Sequence, residues 1–134
     1  MRPIREVYPP DDTSYFFKYD YTPMLKSFGY EIVVQVDQDS YQGDSLVLYK
    51  NEARYGFLTF GWGSCSGCDA LQACSSYEEV DDLRNELYNS IVWFNSLQET
   101  LSHLRNKDWE VLYLSDGLVK NFMREVEEYA RTNG

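Results

Sequence analysis

The sequence predicts a single α+β domain: a three-stranded antiparallel meander packed against a long amphipathic helix and a C-terminal helix. Three observations carry this. Residues 30–62 hold three runs rich in β-branched and aromatic residues, separated by short polar stretches, the pattern of strands joined by tight turns. From residue 77 onward apolar residues recur at steps of three and four, the helical period. A chain of 134 residues with 43% apolar content also suffices for one core, since a chain of this size buries roughly two thirds of its extended surface.

Residues 1–29 read as an irregular arm. Pro3, Pro9, Pro10 and Pro23 interrupt it and Asp11, Asp12 and Asp20 mix with aromatics, leaving no period beyond a short helical stretch near Thr22–Phe28. Gly29 punctuates the chain. Residues 30–62 form the antiparallel sheet. Its first strand is Tyr30–Asp37, with Ile32, Val34 and Val36 on one face. After the acidic loop 37–44, Ser45–Lys50 and Arg54–Trp62 make a hairpin across Asn51-Glu52-Ala53. Residues 63–76 are a Cys- and Gly-rich turn, and residues 77–134 the helical part.

Ser76 with Glu79 has capping-box spacing, so a helix starts at Tyr77. Val80, Leu83, Leu87, Ile91, Phe94 and Leu101 continue its apolar stripe, interrupted by Gln98. Glu78, Glu79, Asp81 and Asp82 lie at its positive end and Arg105 and Lys107 at its negative end, as the helix dipole favours. Unbroken from Tyr77 to Asn106, it would be about 45 Å long at 1.5 Å per residue. Trp93, Leu97 and Leu104 project outside the narrow stripe, so the second half is either buried more deeply or meets a partner, a second copy of the chain included. Trp109–Leu114 then leads to a last helix over Leu118–Ala130, with Asp116 as cap and Val119, Phe122, Val126 and Tyr129 as inner face.

Twelve Lys and Arg stand against 22 Asp and Glu, a formal net charge of −10. Such a chain repels phosphate backbones and anionic membranes, which argues against direct nucleic-acid or membrane binding. No apolar run approaches the roughly 18 residues of a membrane span, and Met1-Arg2-Pro3-Ile4-Arg5 leads into no hydrophobic signal core. The expectation is a cytoplasmic protein. Three cysteines, an odd number, then point to reduced thiols rather than a disulfide framework. Twelve tyrosines, eight of them before residue 60, suit half-buried sheet faces and interfaces alike.

Two constellations could carry function. The first is Cys65-Ser66-Gly67-Cys68 with Cys74 six residues on. Two thiolates at this spacing can grip one zinc ion, because a tight turn brings both sulfurs to one side. Four ligands are needed, and His103 projects to the polar face of the long helix, so the fourth would be Asp69, another carboxylate or a second chain. The pair also has the local setting of a thiol-redox site, without the strand–helix–strand unit that precedes such sites. The plainer reading is a tight turn permitted by Gly61, Gly63 and Gly67, its cysteines packing as small hydrophobes. Asp37, Asp39 and Asp44 outline a calcium loop, but Gln42 takes the required glycine position and Leu48 that of the bidentate glutamate. Phosphate loops, His-Glu-x-x-His and nucleophile elbows are missing from the sequence. The chain reads as non-enzymatic, with no cofactor unless the cysteines hold zinc.

The second constellation is charge. From Asp69 to Glu99 there are seven acids and one base, Arg84, and Glu78, Asp81, Asp82 and Glu86 project to the solvent side of the helix. Carboxylates rising along a helix imitate a row of phosphates and fit a basic nucleic-acid channel on another protein. The alternative is an ordinary solvated face.

The stretch Tyr55–Cys74, and above all Gly61-Trp62-Gly63-Ser64-Cys65-Ser66-Gly67-Cys68-Asp69-Ala70-Leu71-Gln72, with Tyr77-Glu78-Glu79-Val80 after it, resembles a group of small proteins of unassigned function encoded in bacteriophage genomes. The likeness covers about residues 41–112 and leaves out the arm before Gly29. It brings no catalytic residues. What it implies is a setting: an accessory factor in the cytoplasm of a bacterial host that binds and inhibits or modulates a host macromolecule, for example a defence nuclease. The expected partner is a host protein with a basic nucleic-acid-binding surface, met by Glu78, Asp81, Asp82, Glu86 and Trp93.

Overall fold

Four strands form one antiparallel sheet in the order β1-β2-β3-β4, in a computed structural model that describes residues 1–9, 20–39, 42–63, 69–112 and 114–133. β1 (Glu31–Asp37), β2 (Gly43–Asn51) and β3 (Arg54–Trp62) make the expected meander, and the α+β class holds. β2 and β3 pair without interruption from Gly43 opposite Trp62 to Asn51 opposite Arg54. Glu52, in the two-residue turn between them, has φ of 58°, the left-handed backbone that tight hairpins require.

Leu46, Val47, Leu48 and Tyr49 of β2 are all 0% exposed, so the sheet is covered on both faces. One face joins Val34, Leu46, Leu48 and Phe57 to Leu104 of α4 (Leu97–Asn106) and to Phe122 and Val126 of α5 (Asp116–Asn133). The other joins Val47, Tyr49, Leu58 and Phe60 to Leu25 of α2 (Thr22–Lys26), to Phe28 and to Ile91. A third cluster, with Tyr8, Met24, Leu71, Cys74 and Val80, ties α1 (Ile4–Val7), α2 and α3 (Tyr77–Ser90) together. Each fully buried large side chain in these clusters contributes roughly 1.5–3 kcal/mol.

The single helix expected from Tyr77 to Asn106 does not form. α3 ends at Ser90, Val92–Phe94 forms β4, and α4 begins at Leu97, which gives the sheet a fourth strand. Ile91, Val92, Trp93 and Phe94 are β-branched or aromatic and pack best on a pleated surface. Phe94 lies opposite Tyr55, Trp93 opposite Gly56 and Val92 opposite Phe57. Gly56 makes the space: a Cβ there would come within 2.6 Å of Ile91 Cγ2 and 2.9 Å of the Trp93 ring. The new helix has its own cap. Ser96 Oγ accepts from the Glu99 amide at 3.0 Å, and the Glu99 carboxylate accepts from the Asn95 amide at 3.1 Å. α3 starts the same way, with Ser76 Oγ accepting from the Glu79 amide and the Glu79 carboxylate accepting from the Ser75 amide at 2.6 Å.

Three further expectations change. In β1, Ile32 lies opposite Tyr49 but Val34 opposite Leu48, a bulge at Val33 that turns Ile32 to the α2 side and leaves Val34 and Val36 on the α5 side. The N-terminal arm is no appendage, because Tyr8, Met24 and Leu25 are 0% exposed; its short helix is α2, and residues 10–19 lie outside the described residues. α5 starts at Asp116 itself, in its first turn, and Leu118, Phe122 and Val126 form its buried stripe while Val119 is half-buried. Leu104 is fully buried within the chain, and Leu97 packs against the same core.

Candidate functional site

Cys65 and Cys68, on which the zinc and redox readings rest, lie outside the described residues. Cys74 is 5% exposed, packs against Leu71 and Val80, and donates its thiol to the Ala70 carbonyl at 3.4 Å. Asp69 is buried and closes the turn. Its Oδ1 accepts from the Tyr21 hydroxyl at 2.6 Å and the Leu71 amide at 2.9 Å, and its Oδ2 from the Gly63 amide at 3.0 Å. A carboxylate so engaged organises the backbone. Burial, reinforced by the Asp69 hydrogen bond, pushes the Tyr21 phenol well above its ordinary range. His103 is exposed on α4, its ring 4.7 Å from that of Phe94. Among the described residues, no three His, Cys, Asp or Glu side chains gather to hold a metal ion.

α3 distributes its acids unequally. Glu78, Asp82 and Glu86 are exposed and recur every four residues, about 6 Å apart along the axis. Asp81 is half-buried and paired. Its Oδ1 accepts from Arg84 at 2.6 Å, and the Arg84 side chain, 7% exposed, also donates to the Arg2 carbonyl at 2.6 Å. The single base of α3 is thereby buried against the N-terminal segment, while its partner Asp81 keeps a side chain 40% exposed. Glu79 is exposed but bound to the helix start. The outer surface of α3 therefore consists of carboxylates and the neutral Asn85 and Asn89.

Trp93 sits on β4 rather than on a helix. Its half-buried indole meets the Tyr30 ring edge-on at 4.9 Å, and the Arg54 guanidinium lies 5.3 Å from its centroid. Beside the acidic face a hollow of about 320 Å³ separates Glu86 and Leu87 of α3 from Thr59, Phe60 and Gly61 of β3. It adjoins a second hollow, about 840 Å³, lined by Gln38, Asp44 and Trp62. Burial raises the pKa of the Asp44 carboxyl.

Of the five residues read from the sequence, Glu78, Asp82 and Glu86 share one exposed face, while the half-buried Asp81 and Trp93 also make contacts within the chain. It missed Arg84 as a buried anchor, although one base among seven acids was a signal, and it missed the groove. Among the described residues no helix is long and apolar enough to cross a membrane. No protein-family model matches the chain, and neither a curated protein nor a solved structure does.

Proposed function

We propose that the chain is a non-enzymatic binding protein, an accessory factor of phage type, that occupies a basic nucleic-acid-binding surface on a bacterial host protein and so inhibits or modulates it in the host cytoplasm. The observation supporting this is the acid-only outer face of α3. Like charges four residues apart cost a helix about 0.2–0.5 kcal/mol per pair. Glu78 recovers part of that from its place in the first turn. Asp82 and Glu86 have no such offset; the guanidinium of α3 itself is buried beside Asp81, and that of Arg5 lies over the Tyr77 ring. A surface held in this state suits a Lys- and Arg-rich partner, whose approach it accelerates by long-range attraction. The resemblance of residues 61–72 to small phage proteins supplies the setting.

Affinity capture from bacterial lysate tests the reading, using the wild type and the triple variant Glu78→Gln, Asp82→Asn, Glu86→Gln. The wild type retains a specific nucleic-acid-binding protein at low salt, loses it as screening shortens the reach of the charges, and competes with nucleic acid for it. The triple variant retains none. Equal capture by the triple variant, or no salt effect, sinks the proposal.

A further inference from the structure

We propose that the free edge of β3, flanked by Glu86 and Asp44, takes up an extended lysine- or arginine-bearing peptide segment as an added strand. β3 is nine residues long, but β4 pairs only with Tyr55, Gly56 and Phe57. The two-residue turn makes Asn51 and Arg54 a hydrogen-bonded pair, and such pairs alternate along an antiparallel ladder. Even-numbered residues of β3 therefore direct their amide and carbonyl toward β2, and odd-numbered ones toward the opposite edge. Tyr55 and Phe57 meet β4 there. Thr59 and Gly61 meet no strand among the described residues. Each leaves an N–H and a C=O directed outward, the template on which a peptide strand adds.

The chain cannot fill this edge with β4, because α3 runs up to Ser90 and the strand starts only at Val92. What lies along the edge is the hollow of about 320 Å³ between Thr59 and Gly61 on one wall and Leu83, Glu86 and Leu87 on the other. At Gly61 and Ala70 it merges with the hollow of about 840 Å³. Asp44 stands opposite Gly61 in the ladder, its Oδ1 only 3.2 Å from where a Cβ on Gly61 would be. The carboxylate thus lies over the sheet at Gly61, on the face that carries Leu46 and Leu48, and the missing side chain at Gly61 leaves it uncovered. Among the described residues the Asp44 carboxylate accepts no hydrogen bond, although its amide donates to Gln38. Glu86, on the other wall, has no ion pair among the described residues. A hydrogen-bonding edge with Glu86 off one face of the sheet and Asp44 off the other, neither carboxylate paired among the described residues, in a chain of net charge −10, selects a basic segment by charge complementarity. That the ligand is basic rests on the binding role proposed above; the free edge does not.

The test titrates the full-length protein with a fluorescein-labelled peptide of alternating lysine and valine, and with the same peptide fully N-methylated, following anisotropy and backbone amide shifts. Saturable binding is expected, with the largest shifts at Thr59 and Gly61. N-methylation, which keeps the charge and removes the strand hydrogen bonds, weakens it about tenfold or more. Asp44→Asn and Glu86→Gln each weaken it about fivefold. Equal affinity for the N-methylated peptide, or binding lost in Glu78→Gln/Asp82→Asn but intact in Asp44→Asn, overturns strand addition while leaving the acidic-face role standing. No binding of the lysine–valine peptide, alongside successful host capture through α3, overturns the inference alone. Failure of both experiments removes both readings.

Discussion

α3 and α5 each cover one face of the same sheet, and they do so by different means. α5 buries Leu118, Phe122 and Val126 and shows solvent Lys120, Arg124, Glu125, Glu128 and Arg131, charges of both signs. Arg105 of α4 adds a bond to Glu127 at 2.8 Å. α3 buries one apolar residue, Val80, together with Arg84, and shows solvent only carboxylates among its charges. To the packing of the partly buried Tyr77, Leu83, Leu87 and Tyr88 it adds polar bonds: Arg84 to the Arg2 carbonyl, and the Tyr77 hydroxyl to the Tyr8 carbonyl, both at 2.6 Å. α5 shows solvent a mixed-charge face, and α3 a face whose charges are all acidic.

The largest expected effect tests that division at its core. Phe122→Ala should cost about 3–5 kcal/mol, the usual loss for a fully buried aromatic, read from denaturant midpoints at constant slope. Val80→Ala, which removes less buried surface, should cost well under half of that. Equal losses would mean that α3 anchors the domain as firmly as α5 does. Next comes Gly56→Ala, at the strand pair where the two layers meet. The added methyl collides with Ile91 and the Trp93 ring, and overpacking of this kind costs about 1–3 kcal/mol. Near-ultraviolet dichroism of Trp93 should weaken in parallel. A silent substitution would show that β4 shifts freely.

Alkaline titration separates the layers by chemistry. Burial pushes the phenols of Tyr8, Tyr21 and Tyr49 well above the ordinary value of 10.0, and all three pack toward α1–α3. On the α5 side Tyr129 is pushed up to about 12, chiefly by desolvation and then by the Tyr55 hydroxyl. A phenol kept neutral in the fold contributes stability that is complete below the unfolded pKa. That stability is lost as pH rises, at most about 1.4 kcal/mol per pH unit per group. Unfolding should therefore set in above about pH 10. Tyr49→Phe, which gives up one bond to the Leu25 carbonyl, should flatten the alkaline decline more than Tyr129→Phe. The reverse order would place the lability on the α5 side.

Much of this was readable locally. Arg54–Trp62 is an apolar run between turn residues, and Ser76 with Glu79 marks a helix start; both appear where the pattern puts them. β4 was hidden, because Ile91 and Phe94 fit a helical stripe as well as a strand and three residues are too few to show a period. Its pairing depends on Gly56, distant in sequence, although Ser96 with Glu99 was a local sign of a new helix. Asp81 and Asp82 are likewise equivalent in projection. Only the burial of Arg84 against the Arg2 carbonyl decides that Asp81 is paired while Asp82 is not. Glu78, Asp82 and Glu86 were legible from their four-residue spacing, whereas the groove exists because β4 stops short of Thr59, a fact of tertiary pairing.

The smallest expected effect on stability bears most directly on function. Glu86→Lys replaces a like-charge pair with Asp82 by an acid followed four residues later by a base, the favourable order on a helix. The outer face of α3 should then resemble that of α5, and the unfolding free energy should rise by about 0.2–0.5 kcal/mol. Partner capture should fall sharply in the same protein, because the substitution reverses a charge facing the basic surface. Stability and binding moving in opposite directions is what a presenting face predicts. If Glu86→Lys stabilises the fold and leaves binding intact, the carboxylates of α3 are a solvated surface like that of α5, and the contrast between the two layers carries no function.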